Sequence, residues 1–247
     1  MEFIQPHIQL SKKQSTDYAL LPGDPGRIKR IAGFLEEVKE LANNREYCSI
    51  SGTYKGVGIL AVSTGIGGPS LGIAVEELKN IGVKTLIRIG SCGALQKDLK
   101  LGNLLIATGA VRNEGTSLAY VEQGYPAVPD ADVLFALLES AKEQGFPYQY
   151  GRIRSHDSFY TDQEEEINRY WSQKGILGSD MESAALFVIG GLRGVKTGSV
   201  LNVVVEKAGN LECGINDYVD GDAAAMDGEK REIITALEAV VKLANNK

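Results

Sequence analysis

The feature that most limits how this chain can fold is a recurring unit in which an apolar, strand-like run opens into glycines and then into a helix-like stretch. It occurs at Tyr18 to Pro22 with Gly23-Asp24-Pro25-Gly26-Arg27, and at Val57 to Ser63 with Thr64-Gly65-Ile66-Gly67-Gly68-Pro69-Ser70. A third copy runs from Val83 to Ile89 and exits through Gly90-Ser91-Cys92-Gly93, which reads as a turn of small residues. Strand, turn and helix in repetition predict an α/β fold with a largely parallel or mixed sheet, its turns gathered at one rim.

The rest of the chain fits that frame. After Arg27 the spacing of Ile28, Ile31, Phe34 and Leu35 predicts a helix through about Leu41, and Lys55-Gly56 predicts a hairpin turn between strands Tyr47 to Tyr54 and Val57 to Ser63. Helices are expected over Leu71 to Ile81 and Ala131 to Gln144, and strands over Leu104 to Val111, Tyr148 to Ser155 and Lys196 to Val205. Glu164-Glu165-Glu166 reads as a helix start, where carboxylates meet the positive end of the dipole. The polar stretch Leu211 to Gly228 is expected at the surface, before a last helix from about Glu229 to Ala244. A length of 247 residues suits one large α/β domain or two small ones, and the absence of a linker favours one domain over 1–247.

Composition excludes several classes. A net charge of -6 argues against a nucleic-acid surface while leaving room for a local basic pocket. Three widely spaced cysteines (Cys48, Cys92, Cys213) suggest neither a disulfide framework nor a zinc site, and with two histidines no histidine-built metal centre is expected. The unpaired cysteine pattern reads as a reducing, cytoplasmic compartment, and with no signal-peptide pattern at the start and no apolar run long enough to span a bilayer a soluble protein without membrane attachment is expected.

Within this frame Arg88 stands out, a lone charge near the end of an apolar strand and just before Gly90-Ser91. Ligands of open α/β sheets sit at the carboxyl ends of strands, and small turn residues let backbone N–H groups approach an anion. Arg88 with Ser91 is therefore either an anion cradle, suited to phosphate, or a buried arginine paired with an acidic core residue. Two more arginines accompany this pattern, Arg27 after Gly23-Asp24-Pro25-Gly26 and Arg45 in Asn44-Arg45-Glu46-Tyr47. Further on, Gly178-Ser179-Asp180-Met181-Glu182-Ser183 precedes an apolar helix, and its acidic residues could serve as caps.

Taken together, from His7 to the final helix, these motifs resemble the nucleoside phosphorylase superfamily, which includes uridine phosphorylases and hexameric purine nucleoside phosphorylases. The resemblance implies a single domain with a central mixed, partly barrel-like sheet flanked by helices. It implies inorganic phosphate as co-substrate with no cofactor or metal, bound by the Gly23 backbone, Arg27, Arg88 and Ser91, with Arg45 reaching in from a neighbouring subunit. Guanidinium forks suit that task because they stay charged and match phosphate oxygens in pairs. Glu182 resembles the carboxylate that holds the ribose hydroxyls, with Met181 against the sugar, and His7 the histidine that closes on the ligand of an adjacent subunit. Without the resemblance, Met181 reads as core packing, His7 as a surface residue and Arg45 as half of a surface ion pair. Contributions across an interface imply a homo-oligomer, at least a dimer and in this family a hexamer. Arg88, Glu182 and Glu206 are then the candidate catalytic groups.

The base side divides the signals. Phe159 resembles the ring that stacks on the base and Gln163 the glutamine that reads uracil, with Cys92 and Gly93 nearby. Gln163 reads equally as a solvent-facing helix residue, and Glu165 stands where uridine phosphorylases carry arginine. Glu206-Lys207 matches neither branch, so Glu206 is either a general acid raised by desolvation or a charge partner of Lys207 or another surface group. Ser91-Cys92-Gly93 resembles the purine enzymes, whereas the Thr64 to Ser70 loop, Glu114-Gly115-Thr116-Ser117 and Gln163 resemble the uridine enzymes. Uridine leads, with a purine nucleoside as the alternative, and a nucleosidase or a non-catalytic nucleoside-binding module further behind. His156 reads as a rim histidine or a base-pocket residue, and Asp180 as a supporting group.

Overall fold

The computed structural model describes residues 3–207, 209, 214, 216 and 221–245. Two strands form its middle. β1 (Tyr18–Pro22) is buried throughout, and β5 (Thr85–Ala94) lies parallel to it with Leu20 opposite Ile87 and Leu21 opposite Arg88. Strands covered on both faces read as continuous apolar runs, which is why both were legible. Outward from β1 come β4 (Val57–Val62), β3 (Tyr47–Tyr54) and β2 (Glu36–Asn44). On the other side lie β8 (Gly178–Asp180), β7 (Tyr148–His156), β6 (Leu104–Asn113) and β9 (Lys196–Val205). β9 pairs with β6 and also with β5, so β5, β8, β7, β6 and β9 close into a ring and the mixed sheet becomes partly a barrel.

Helices cover both faces. α2 (Gly68–Ile81) and α6 (Ser183–Leu192) bury Leu71, Val75, Leu78, Leu186 and Phe187 in one core, which takes Leu86 from β5. α1 (Pro25–Ala32), α4 (Ala131–Glu143) and α7 (Ala223–Asn245) bury Ile28, Ile31, Val133, Leu137, Ile233 and Leu237 in a second, which takes Ile87 and Ile89. Alternate β5 residues thus serve opposite layers, as the pleat requires. α3 (Gly115–Tyr120) and α5 (Glu164–Gln173) are short connectors near the rim. No helix among the described residues is long and apolar enough to cross a membrane.

Three expectations are corrected. The helix after Arg27 ends at Ala32, and Glu36–Asn44 is an edge strand antiparallel to β3. Glu36 to Glu40 are all exposed, so a helix there would have no apolar face to bury, whereas the backbone gains partners along β3 and the charges blunt an open edge. β2 crosses Gly52 so closely that a Cβ there would stand 2.9 Å from the Glu36 carbonyl. Second, Gly90-Ser91-Cys92-Gly93 is not a turn, because β5 continues through it between β9 (Ser91 opposite Asn202) and β8 (Gly93 opposite Ser179). Third, α7 starts at Ala223 because the Asp222 carboxylate accepts the Ala224 and Ala225 N–H groups, each at 3.0 Å. Ala225 and Gly228 are therefore buried helix residues, while most of the polar stretch before them, with Cys213, lies outside the described residues. The Lys55-Gly56 hairpin turn is as expected, with φ of 50° and 80°.

Candidate active site

β5 carries Arg88 into the rim of the ring, where its side chain is 4 % exposed. Nε donates to Asp180 Oδ2 at 3.0 Å and Nη2 meets Glu182 Oε2 at 2.5 Å. Both carboxylates come from the β8 to α6 junction, and both are braced. Asp180 accepts the Ser155 hydroxyl at 2.6 Å, the Ser183 hydroxyl at 2.6 Å and the Ser183 N–H at 3.0 Å. Glu182 accepts the Gly67 N–H at 2.6 Å and the Met181 N–H at 3.2 Å. The third nitrogen of Arg88, Nη1, is buried without a hydrogen-bond partner among the described residues. Gly90 is glycine for a steric reason: a Cβ there would lie 2.6 Å from Arg88 Nη2 and 2.7 Å from Cζ. Burial pushes the Glu182 carboxyl up from its ordinary value, and Arg88 opposes that push.

A second guanidinium arrives from α1. Arg27 donates from Nη2 to Ser91 Oγ at 3.2 Å, from Nη1 to the Ile89 carbonyl at 3.0 Å and from Nε to Glu229 Oε2 at 3.0 Å. Its Nη1 also lies 2.9 Å from Glu232 Oε1. Arg30, one turn later, shares Glu229 and reaches Asp24 at 2.8 Å. Asp24 caps α1 by accepting the Gly26 N–H at 2.7 Å, which fixes the Gly23 loop. That loop lies against the next glycine exit, where the Gly65 N–H donates to the Gly23 carbonyl at 3.0 Å and Gly65 has φ +69°.

These groups line one cavity of about 640 Å³. Gly23, Arg27, Arg88 and Ser91 stand at its basic end, with Met181 and Glu182 beside them. Cys92, Gly93, His156 and half-buried Phe159 also line it. Arg88 is thus paired with acidic residues, as the second reading had it, and it also lines the cavity with Arg27 and Ser91. Burial, with Asp180 and Glu232 nearby, pushes the Cys92 thiol up, away from thiolate chemistry.

Four expected residues lie elsewhere. Arg45 is exposed with φ +56° at the β2–β3 turn and does not line the cavity, in keeping with a residue expected to act on a neighbouring subunit. His7 docks on Glu77, with Nδ1 2.6 Å from Oε1, and does not line the cavity. Gln163 is exposed at the start of α5. Glu206 pairs with Lys100 Nζ at 3.2 Å and accepts the Leu101 N–H at 3.3 Å, while Lys207 donates to Ser172 at 2.6 Å. Glu206 lines a neighbouring hollow that shares Gly93, Glu164, Ser179 and Val205 with the main cavity.

The sequence reading gave Asp180 only a supporting place and gave Ser155, Glu229 and Glu232 none. A buried arginine demands acidic partners, but nothing local says which carboxylates of a chain with 32 supply them. His156 lines the cavity with Nδ1 2.9 Å from the Ser158 carbonyl, and burial together with Arg154 pushes its pKa down.

A cavity with two guanidiniums and a hydroxyl at one end and an aromatic wall can hold a small oxyanion beneath a ring-bearing molecule. Comparison with known proteins agrees with that geometry. The chain is 39% identical over 243 residues to the guanosine phosphorylase of Halorubrum lacusprofundi, covering 97% of this chain and 99% of that protein. It is 40% identical to the uridine phosphorylase of Thermococcus kodakarensis, covering 98% and 88% of the two chains. A crystal structure of uridine phosphorylase from Vibrio fischeri in complex with 6-hydroxy-1-naphthoic acid superposes with a TM-score of 0.91 at 46% identity over 96% of each chain. The profile of the phosphorylase superfamily matches residues 17–239, and the chain belongs to that superfamily.

Proposed function

We propose that the protein is a nucleoside phosphorylase, a pentosyltransferase that converts uridine and inorganic phosphate into uracil and ribose 1-phosphate. The observation that carries this reading is that Arg27, Arg88 and Ser91 line one cavity together with Glu182 and Met181, Arg27 meeting Ser91 and Arg88 meeting Glu182. Phosphate sits at the basic end, beside Arg27, Arg88 and Ser91. Glu182, fixed by Gly67 and Arg88, accepts from the ribose hydroxyls, and Phe159 lies along the base.

In the reaction a phosphate oxygen bonds to C1' from the face opposite the base as the bond from C1' to the base nitrogen breaks. The bonding pair leaves with the base, which then takes up a proton, and no covalent enzyme intermediate forms. The oxyanion held under the sugar stabilises the cation-like ribose and is already positioned to attack. The reading needs no cofactor. Arg45 and His7 both sit away from their own chain's cavity, which supports their acting across an interface, in a cytoplasmic homo-oligomer built from dimers into a hexamer. Nucleoside salvage is the corresponding cellular role.

The test is turnover of uridine, thymidine, inosine and guanosine with and without phosphate. Uridine is expected to be fastest, with base release dependent on phosphate. Undiminished release in phosphate-free buffer would replace the phosphorylase reading with a nucleosidase, and ligand binding without turnover would favour a binding module. A strong preference for guanosine or inosine would favour the purine reading. Gln163 lying off the cavity wall, together with the near full-length match to a guanosine phosphorylase, supports that alternative.

A further inference from the structure

We propose that Glu232 is a positioning residue that makes oxyanion capture by Arg27 depend on pH, holding the guanidinium when ionised and releasing it to phosphate when protonated. The proposal rests on the reading of Arg27 as a phosphate ligand.

α7 places Glu229 and Glu232 three residues apart, on one face, and both meet Arg27. Around the basic end, buried Arg27 and Arg88 face four buried carboxylates, Asp180, Glu182, Glu229 and Glu232, with Arg30 reaching Glu229 from the rim. Adding a doubly charged phosphate to this cluster brings further negative charge up against buried carboxylates. Uncompensated buried charge is costly, so binding draws a proton onto one of the carboxylates.

The structure singles out Glu232 for that proton. Glu229 is shared by Arg27 and Arg30, and Asp180 and Glu182 take N–H or O–H donors besides Arg88. Glu232 is fully buried, its ion-pair partner is Arg27, and beside that it meets the backbone of Asn202 on β9. The groups facing it are Arg27 from α1, Glu229 from its own helix, and Arg88 and Cys92 from β5. Burial pushes its carboxyl up to about 8, against the pull of Arg27. Below that pH the acid is neutral and Arg27 faces one buried carboxylate fewer, keeping Glu229, which it shares with Arg30, whereas above it the Glu232 carboxylate adds a second anionic partner that competes with the oxyanion.

Sulfate is the probe, a doubly charged tetrahedral oxyanion that does not titrate near neutrality, measured as a competitor of phosphate at constant ionic strength. For the wild type, its inhibition constant is expected to rise about tenfold from pH 7 to pH 9, as one ionisation at the competing carboxylate requires. In Glu232→Gln it is expected to stay level, near the wild-type low-pH value. A level wild-type profile, or a slope that persists in Glu232→Gln, overturns the proposal. Arg27→Gln separates the two claims: if sulfate and phosphate affinity survive that change, the ligand reading of Arg27 falls and this proposal with it. Should Glu232→Gln fail to fold, calorimetry of sulfate binding to the wild type in two buffers of different ionisation enthalpy decides. Proton uptake approaching one per sulfate near pH 9 supports the proposal, and none overturns it.

Discussion

Replacing Arg88 by alanine removes the guanidinium that touches both Asp180 and Glu182, and the structure says what is left behind. Asp180 keeps its Ser155 and Ser183 donors and Glu182 keeps two backbone N–H groups, but both carboxylates stay buried without their counter-charge. Removing one partner of a buried pair costs about 3–5 kcal/mol. At roughly 2–4 °C per kcal/mol for a chain of this size, that corresponds to a fall in Tm of about 6–20 °C. Thermal unfolding followed by circular dichroism reads it directly. The loss should also depend on pH. The buried Glu182 carboxyl binds its proton more tightly when folded than when unfolded, so the variant gains stability as pH falls and loses it as pH rises. The deficit relative to wild type is therefore larger at pH 8 than at pH 5, and Asp180→Asn in the same background recovers part of it. Phosphate-dependent turnover should drop about a hundred- to a thousandfold, the usual cost of losing a group that faces developing charge. A variant with unchanged Tm across that pH range would refute the claim that Arg88 is the counter-charge of this cluster, and full turnover at low phosphate would refute its catalytic placement.

The Gly90→Ala variant should be inactive and destabilised by about 1–3 kcal/mol, because the new methyl occupies the space of the Arg88 fork; an active, equally stable variant in a urea melt would contradict that. In Ser155→Ala, Asp180 loses a 2.6 Å donor and the Ala184 N–H its acceptor, for an expected 1–3 kcal/mol by denaturant unfolding, about the cost of stranding buried polar groups. Glu77→Ala should free the amino-terminal segment, since that carboxylate holds the His7 and Ile8 N–H groups and the His7 ring. Hydrogen exchange at His7 and Ile8 should then rise well above that of β1, and unchanged protection would show that packing of Ile8 alone suffices.

How much of this was legible beforehand follows from the range of the interactions. β1, β3, β4, α2, α4 and β9 were readable to within a residue or a few, because each is specified by its own apolar period and its own capping or glycine residues. Arg27, Arg88, Ser91 and Gly23 were grouped by the family resemblance and do line one cavity, although Arg88 and Ser91 lie within β5 and not at its exit. The segments that misled are those whose fate depends on a distant neighbour. Glu36–Asn44 is a strand because β3 offers it a ladder, and Gly90 to Gly93 extend as strand because β8 and β9 flank them.

The acidic half of the site belongs to the same category. Asp180 is 92 residues from Arg88, and Glu229 is 202 residues from Arg27. Local sequence settles where an arginine enters the core, since one polar residue in an apolar run is visible by itself. Which carboxylates meet it there is decided only when α7 and the β8–α6 junction pack onto the sheet, because the pairing energy exists only once water has been removed from both charges.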